Sequence, residues 1–430
     1  MSTAELRRPD TDAGGVLPHV APGADLIVPL ANGEPVSVID AIEAAAAAGE
    51  VDGLRIHQMH ALHPRPSIRG ELGDRLRHVS YFLSPVTRPA FLAGQCDLVP
   101  NHFSEVPTLL QRCTKASLVL AAASPMDAHG YFSLGTSCDY VAPLIGRAPF
   151  YLEVNAQMPR TFGRNQLHVS QVAGWVEVDR PLIEHHPAPA SEADRAIAGH
   201  VAERIPDGAT LQVGIGAIPN ALLEALRDHR DLGVHTELLS DGIVDLVERG
   251  AVTGTRKRVT PHKVVTTFAL GTRRLYEFLH ENAAVELRPV DWVNDPRVIA
   301  REPDFASINA TLEVDFLGQC ASETRAGRYW SSSGGQADFA RGAMYADGGQ
   351  GFIVLRSTTN DGLLSRIVPR LSSGSAVTTL KNTVDKVVTE HGVAELRGRT
   401  IRARTTNLIA VAAPQFRDGL TAEARAMGFL

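Results

Sequence analysis

Glu237 stands in the run His235-Thr236-Glu237-Leu238-Leu239-Ser240-Asp241-Gly242, and a glycine-rich loop lies on either side of it in the chain. The first is Gly214-Ile215-Gly216-Ala217-Ile218-Pro219, and the second is Ser331-Ser332-Ser333-Gly334-Gly335-Gln336-Ala337-Asp338-Phe339. Glycines at a strand–helix junction let backbone N–H groups come close to a ligand, and such groups suit a phosphate or an oxyanion. A carboxylate facing them suits acyl transfer. The carboxylate attacks a thioester carbonyl and the N–H groups hold the oxyanion that forms. The plainer reading makes Glu237 a solvated or capping acid and the GIG turn a packing device, and residue types and spacing leave both readings open.

Other chemistries are poorly served. There is no Gly-x-Ser-x-Gly elbow, no GxxxxGK[ST] loop and no HExxH. His57, His60 and His63 invite a metal reading, but the first pair is spaced i, i+3, which in a strand points to opposite faces. Polar residues at a strand end are the favoured account, and no metal site is expected. Other acids compete with Glu237. Asp241 precedes Gly242 and is read as a turn residue, and Asp245 as an acid facing a helix start. Glu105 and Glu390 lack a glycine loop beside them and are read as structural or substrate-positioning.

The elements that must place Glu237 follow from the same stretch. Thr210 to Val213 is a β-favouring run after Pro206-Asp207-Gly208, Pro219-Asn220 suits a helix start, and residues 221–226 are helix formers. Glu237 then falls near the C-terminal end of the next strand, where ligands bind in open α/β sheets. Earlier in the chain, residues 24–30 read as a strand, 32–35 as a turn, 36–48 as a helix and 53–62 as a second strand. Strands are also expected at 117–123 and 151–155. Residues 182–194 read as a linker, followed by a helix from Ser191 to Arg204. Later strands are expected at 264–269, 285–290 and 351–355, and residues 406–429 read as helical with a break near Pro414.

The halves repeat one another. Residues 29–42 (PLANGEPVSVIDAI) lie over residues 213–226 (VGIGAIPNALLEAL), and Gly23-Ala24 over Gly208-Ala209 after a slip of one residue. Two copies of one α/β domain are expected, with a ligand site in the cleft between them.

Composition narrows the class. The 430 residues are 44% apolar with a formal net charge of −6, which makes nucleic acid an unexpected partner. Cys96, Cys113, Cys138 and Cys320 show no CxxC spacing, and reduced thiols in a cytoplasmic protein are expected. No apolar run nears the roughly 20 residues that span a bilayer, so no membrane partner is expected. Residues 1–20 read as a frayed tail.

These motifs together resemble the acetyl-CoA hydrolase/transferase family, which includes the 4-hydroxybutyrate and butyrate:acetate CoA-transferases. The family pattern LQxGIGAIPNAV…LGxHTEMxSDG is followed closely by residues 211–242. Val293-Asn294-Asp295-Pro296, Ile308-Asn309, residues 334–343 (GGQADFARGA), residues 365–369 (SRIVP) and Val388-Thr389-Glu390 also resemble it, as do residues 104–107, 124–130 and 154–161. The likeness runs over about residues 95–420.

The resemblance implies two similar open α/β domains of the CoA-transferase type with the active site at their interface. Their extents would be residues 21–185 and 186–430. It implies that Glu237 is the nucleophile, and that Gln212, Gly214, Gly216, Gly334, Gly335 and Gln336 line the acyl-CoA site. Asn309 would support the oxyanion, and Arg366 and Lys381 are candidates for the CoA phosphates. The reaction implied is a ping-pong transfer of CoA from an acyl-CoA to a short carboxylic acid through a glutamyl-CoA thioester. CoA is a substrate and no bound cofactor is needed; a homo-oligomer is expected. Rival readings are an acyl-CoA hydrolase, a silent acyl-CoA-binding protein and a sugar-phosphate isomerase. The chain departs from the pattern at Lys381, where an arginine is usual, at Lys386 and His391, where tyrosines are expected, and at Ala413, which replaces a usual histidine. These departures bear on the choice of acid and leave the nucleophile and both glycine loops intact.

Overall fold

A computed structural model describes residues 8–186 and 189–430. The chain forms two compact units. The first comprises residues 1–185 and 267–291, the second residues 186–266 and 292–430. The second unit is therefore interrupted by a segment that belongs to the first, which a single cut in the linker does not anticipate.

In the first unit, strand β1 (Asp25–Val28) leads through the Asn32-Gly33-Glu34 turn into helix α1 (Val36–Ala48). Strands β2 (Leu54–Gln58), β3 (Leu76–Ser80), β4 (Asp97–Leu98), β5 (Leu118–Ala123), β6 (Phe150–Asn155) and β7 (Val172–Val178) follow. Their order in the sheet is β4-β3-β2-β1-β5-β6-β7, and every neighbouring pair is parallel. A sheet covered on both faces needs strands that are apolar throughout, and Leu118–Ala123 is buried at every residue. Val38, Ile39, Ile42 and Ala46 turn one face of α1 onto Leu26, Val28, Leu54, Ile56 and Leu118.

The segment expected to fray is partly built in. Asp12 accepts a hydrogen bond from the Gly14 N–H at the start of the 3₁₀ turn Ala13–His19, Val16 is buried, and the Tyr151 hydroxyl donates to Asp10 at 2.6 Å. Residues 1–7 lie outside the described residues.

The second unit repeats the plan. Ser191 caps helix α2 (Glu192–Ala202), and strand β8 (Thr210–Val213), helix α3 (Ala217–Ala225), strand β9 (Gly233–Leu239) and helix α4 (Asp241–Glu248) follow. Strand β10 (Val264–Ala269) begins in this unit. After the interruption come β11 (Ala306–Ala310), helix α5 (Gln336–Tyr345), β12 (Gln350–Val354), β13 (Lys386–Thr389) and β14 (Gly392–Glu395). In the part of the sheet that belongs to this unit, the order is β10-β9-β8-β11-β12-β13-β14; the pairs from β9 to β13 are parallel and the last hairpin is antiparallel. Helices α6 (Ile401–Val411) and α7 (Arg417–Ala426) pack on Phe316, Ile353 and Val387. Helix α6 begins at Ile401, earlier than its composition suggests, because Thr400 caps it by accepting from the Ala403 N–H.

In both units the strand order reverses beside the first strand, between β1 and β5 and between β8 and β11. In the second unit the glycine loop leaves that reversal point, where open α/β sheets leave a crevice.

The two α-helix starts that follow the first strands are treated differently. In the first unit, Glu153 on β6 accepts from the Ser37 N–H at 2.6 Å and the Ser37 hydroxyl at 2.5 Å, filling the N-terminus of α1 with a carboxylate. Arg180 pairs the same carboxylate at 2.6 Å. By strand register the matching residue in the second unit is Val354, and α3, with Gly216 at its N-cap, has no side-chain cap. Glu153→Ala should therefore uncap α1 and strand Arg180, costing about 2–4 kcal/mol. A urea denaturation midpoint unchanged from wild type would contradict this.

Candidate active site

Strand β9 carries Glu237 two residues before its end. The side chain is half-buried, and one carboxylate oxygen, Oε2, accepts from the Asn294 Nδ2 at 2.8 Å. The Gly335 N–H adds a backbone hydrogen bond to the carboxylate. Asn294 is fully buried, and its Oδ1 has no partner among the described residues. A side chain at position 335 has nowhere to go, because its Cβ would overlap Glu237 Oε2 and Asn294 Nδ2. Gly335 is thus glycine for close approach, since its own backbone (φ −95°, ψ 4°) does not demand one.

The carboxylate is electrostatically frustrated. Burial pushes Glu237 up to about 7 from an ordinary glutamate value. The negative Asp338 on α5 pushes the same way, while the Asn294 and Gly335 hydrogen bonds oppose both. A poorly solvated carboxylate with few donors is a stronger nucleophile than one in water.

The glycine loop before α3 is open. A Cβ at Gly214 would meet nothing, and Gly216 adopts φ +123°, a conformation that favours glycine. The loop therefore exposes uncapped N–H groups at the start of α3. Gly334, at φ +55°, turns the second loop into α5.

The remaining sequence-derived candidates are placed as follows. Gln212 on β8 and Asn309 on β11 hold each other and Ser307, with the Asn309 amide donating to Gln212 Oε1 at 3.0 Å and the Ser307 hydroxyl at 2.9 Å. Their hydrogen bonds are used across the switch point, and the amide that touches the nucleophile candidate is Asn294. Gln336 donates to Thr379 at 3.1 Å. Arg366 is half-buried beside Arg356 and Arg325, and burial and those charges lower its proton affinity; Lys381 is exposed. Neither forms a hydrogen bond or ion pair with Glu237. Of the competing acids, Asp241 is the first residue of α4 rather than a turn residue, and Asp245 lies inside that helix. Glu390 accepts from the Ser357 N–H and hydroxyl, a structural role. His57 pairs with Asp25 and Tyr81, while His63 faces Glu34. His60 lies just beyond β2 at φ +55° with its ring on Phe82.

Asn294 was legible only as part of the Val293-Asn294-Asp295-Pro296 run, because a loop asparagine 57 residues beyond Glu237 gives no sign in sequence of where its amide points. Strand register adds one further finding: the residue of the first unit that matches Glu237 is Met59, so only the second copy carries the carboxylate.

Family models match both parts of the chain. The acetyl-CoA hydrolase/transferase N-terminal domain matches residues 11–184, and the C-terminal domain of the same family matches residues 271–424. The chain belongs to the acetyl-CoA hydrolase/transferase family. It is 46% identical over 409 residues to the succinyl-CoA:cyclohexane-1-carboxylate CoA transferase of Geobacter metallireducens, covering 95% of this chain and 93% of that one. It is 41% identical over 395 residues to the 4-hydroxybutyrate coenzyme A transferase of Clostridium kluyveri, covering 91% and 92%. RipA from Yersinia pestis has the same fold, with a TM-score of 0.93, 37% identity and 98% of each chain covered. The two sequence relatives are named as CoA transferases, and this member of the acetyl-CoA hydrolase/transferase family is an enzyme of that class.

Three of the four positions expected to depart from the family pattern sit in the outer elements of the second unit. Lys386 pairs with Asp385 at 2.8 Å, His391 lies in the β13–β14 turn beside Glu390, and Ala413 is buried just beyond α6. None of them shares a hydrogen bond or ion pair with Glu237.

Two outcomes follow for this family member. Gly335→Ala should fold, since alanine accepts that backbone, yet lose about 100-fold or more in kcat by displacing the carboxylate. Unchanged turnover with an unchanged circular dichroism spectrum would refute the close approach. The raised Glu237 also makes a stability prediction. The folded state holds that proton more tightly than the unfolded chain, so this group's penalty grows as pH rises from about 4.5 to about 7 and is full above. Glu237→Gln should therefore raise Tm at pH 8 and change it little at pH 4.5, a difference that calorimetry at the two pH values reads.

Proposed function

We propose that this enzyme moves CoA from an acyl-CoA to a carboxylic acid by a ping-pong route in which Glu237 carries the CoA. The Glu237 carboxylate attacks the acyl-CoA carbonyl, the C–S bond breaks, and an acyl-glutamyl anhydride and CoA thiolate result. The thiolate attacks the glutamyl carbonyl, which releases the first acid and leaves glutamyl-CoA. A second carboxylate attacks that thioester, and the thiolate it frees takes the new acyl group, restoring Glu237. CoA enters as a substrate, and the enzyme's own carboxylate replaces any resident carrier.

The observation that carries this reading is the Glu237 carboxylate itself, half-buried, raised to about 7 and within reach of the Gly335 N–H. The uncapped start of α3, with Gly214 and Gly216 leading into it, offers N–H groups for the oxyanion or for a phosphate of CoA. Asn294 supports the carboxylate, Gln212 and Asn309 bond one another and Ser307 beside the switch point, and Gln336 bonds Thr379. Arg366 and Lys381 remain the candidates for the CoA phosphates. Arg366 is supported by its half-buried position among other arginines, a setting that favours a bound anion. The relatives' names pair CoA donors with carboxylic acids, and a small acid is the first acceptor to try. A cytoplasmic setting is part of the same reading, supported by four free cysteines, three of them buried.

Transfer should exceed hydrolysis, because carboxylate exchange demands that water be kept from the anhydride and the thioester. A panel of succinyl-CoA and acetyl-CoA donors with acetate, 4-hydroxybutyrate and cyclohexane-1-carboxylate, followed by chromatography of the acyl-CoA products, tests this. CoA release at an equal rate without any acceptor acid would favour the hydrolase. Glu237→Ala should fold, still bind acyl-CoA, and lose transfer by several orders of magnitude. Wild-type enzyme given acyl-CoA alone should show CoA as a thioester on the peptide containing Glu237. An adduct elsewhere on mass spectrometry, or near-normal turnover by Glu237→Ala, would refute the assignment. The acid limb of kcat/KM should lie near pH 7, with activity rising as Glu237 loses its proton.

A further inference from the structure

The strand that delivers Glu237 is held at each of its last steps. The Lys257 ammonium donates to the Val234 carbonyl at 2.8 Å, the Thr236 hydroxyl to the Val213 carbonyl at 3.2 Å, and the Thr266 hydroxyl to the Glu237 carbonyl at 3.1 Å. His235 makes the remaining bond. Its Nε2 lies 2.7 Å from the Val293 carbonyl, and the whole side chain is buried. A carbonyl only accepts, so Nε2 carries the proton and Nδ1 does not. Nδ1 is buried without a partner among the described residues. The ring packs among Trp292, Phe305 and Phe339 at centroid distances of 5.5, 6.2 and 6.5 Å.

A phenylalanine would suit that aromatic pocket and would leave no buried nitrogen unsatisfied. What the imidazole offers in exchange is the single bond to Val293. That carbonyl belongs to the peptide unit joining Val293 to Asn294, and the Asn294 amide is the side-chain donor on the Glu237 carboxylate. We propose that His235 is a positioning residue for acyl transfer: its Nε2–H fixes the Val293–Asn294 peptide, and thereby the amide that orients Glu237. The proposal rests on Glu237 being the nucleophile. The ring is suited to a fixed role because burial, and then the nearby Lys257 charge, push it down to about 3, so it stays a neutral donor across the working range. The groups facing Glu237 are Asn294, the Gly335 N–H and Asp338, of which Asn294 is the one His235 can move.

His235→Phe keeps the ring packing and removes the donor, whereas His235→Gln keeps an N–H donor. In the Phe variant kcat should fall about 10- to 100-fold with KM for acyl-CoA little changed. The acid limb of kcat/KM should move to higher pH, because a loosened Asn294 no longer favours the charged carboxylate. The Gln variant should recover most of both. In an Asn294→Ala background the Phe substitution should cost less than about threefold more, since its route to Glu237 is already gone. Wild-type kcat and pH limb in the Phe variant, or an equal cost in both backgrounds, would overturn the proposal. If the Phe variant does not fold, histidine ¹⁵N spectra of the wild type decide instead. A neutral Nε2–H tautomer from pH 5 to 9 is expected, and a titrating or Nδ1–H ring at His235 would overturn it. The CoA adduct separates the two levels: its absence from Glu237 in wild type defeats the nucleophile reading, while its presence alongside an unaltered Phe variant defeats only the role of His235.

Discussion

Removing water from one carboxylate is the constraint on which the second unit depends. A carboxylate in water is a poor nucleophile because solvent satisfies its charge. Burial takes that solvent away, and the protein returns little: one amide from Asn294 and one backbone N–H from Gly335, against the unfavourable charge of Asp338. The balance raises Glu237 to about 7, so near neutral pH it is only partly charged, which is costly for folding and useful for chemistry. The surrounding polar bonds hold the group in place despite that cost. The close approach of Gly335 shows how little room the arrangement leaves.

The two units show what separates a scaffold from a site. They share strand order, the reversal beside the first strand, and a turn that opens a helix at that point. In the first unit the helix start is closed by Glu153, itself paired with Arg180, and the position matching Glu237 is the buried Met59. In the second unit the capping carboxylate is replaced by Val354, the helix start is uncapped, and the carboxylate sits one strand over, on β9. One copy brings a carboxylate to its helix start, while among the described residues no side chain caps the other. Unsatisfied donors at a helix N-terminus are tolerable only where solvent or a ligand can meet them.

Three of the positions expected to differ from the family pattern fit the same division. Lys386, His391 and Ala413 lie on the hairpin and helix end at the outer part of the second unit, and they engage neighbours there. Glu237 and its Asn294 contact lie elsewhere in that unit.

Much was determined by the sequence alone, because it depends on residues close together in the chain. Helix α1 over Val36–Ala48, the strand–turn–helix around the GIG loop and the strand ending beyond Glu237 follow from local propensity and glycine placement. The duplication follows from one short repeated pattern, and the motifs around Glu237 carry the family. Only the tertiary structure decided which polar groups meet. It put Asn294, not Asn309, on the carboxylate, tied Asn309 to Gln212 and Ser307, and set Asp241 at the head of a helix. It also returned residues 267–291 to the first unit and gave part of the expected tail a place in the fold. Local pattern records which backbone a stretch prefers. The direction of a side-chain amide and the water left around a carboxylate are set by residues distant in sequence, so no reading of neighbours along the chain can supply them.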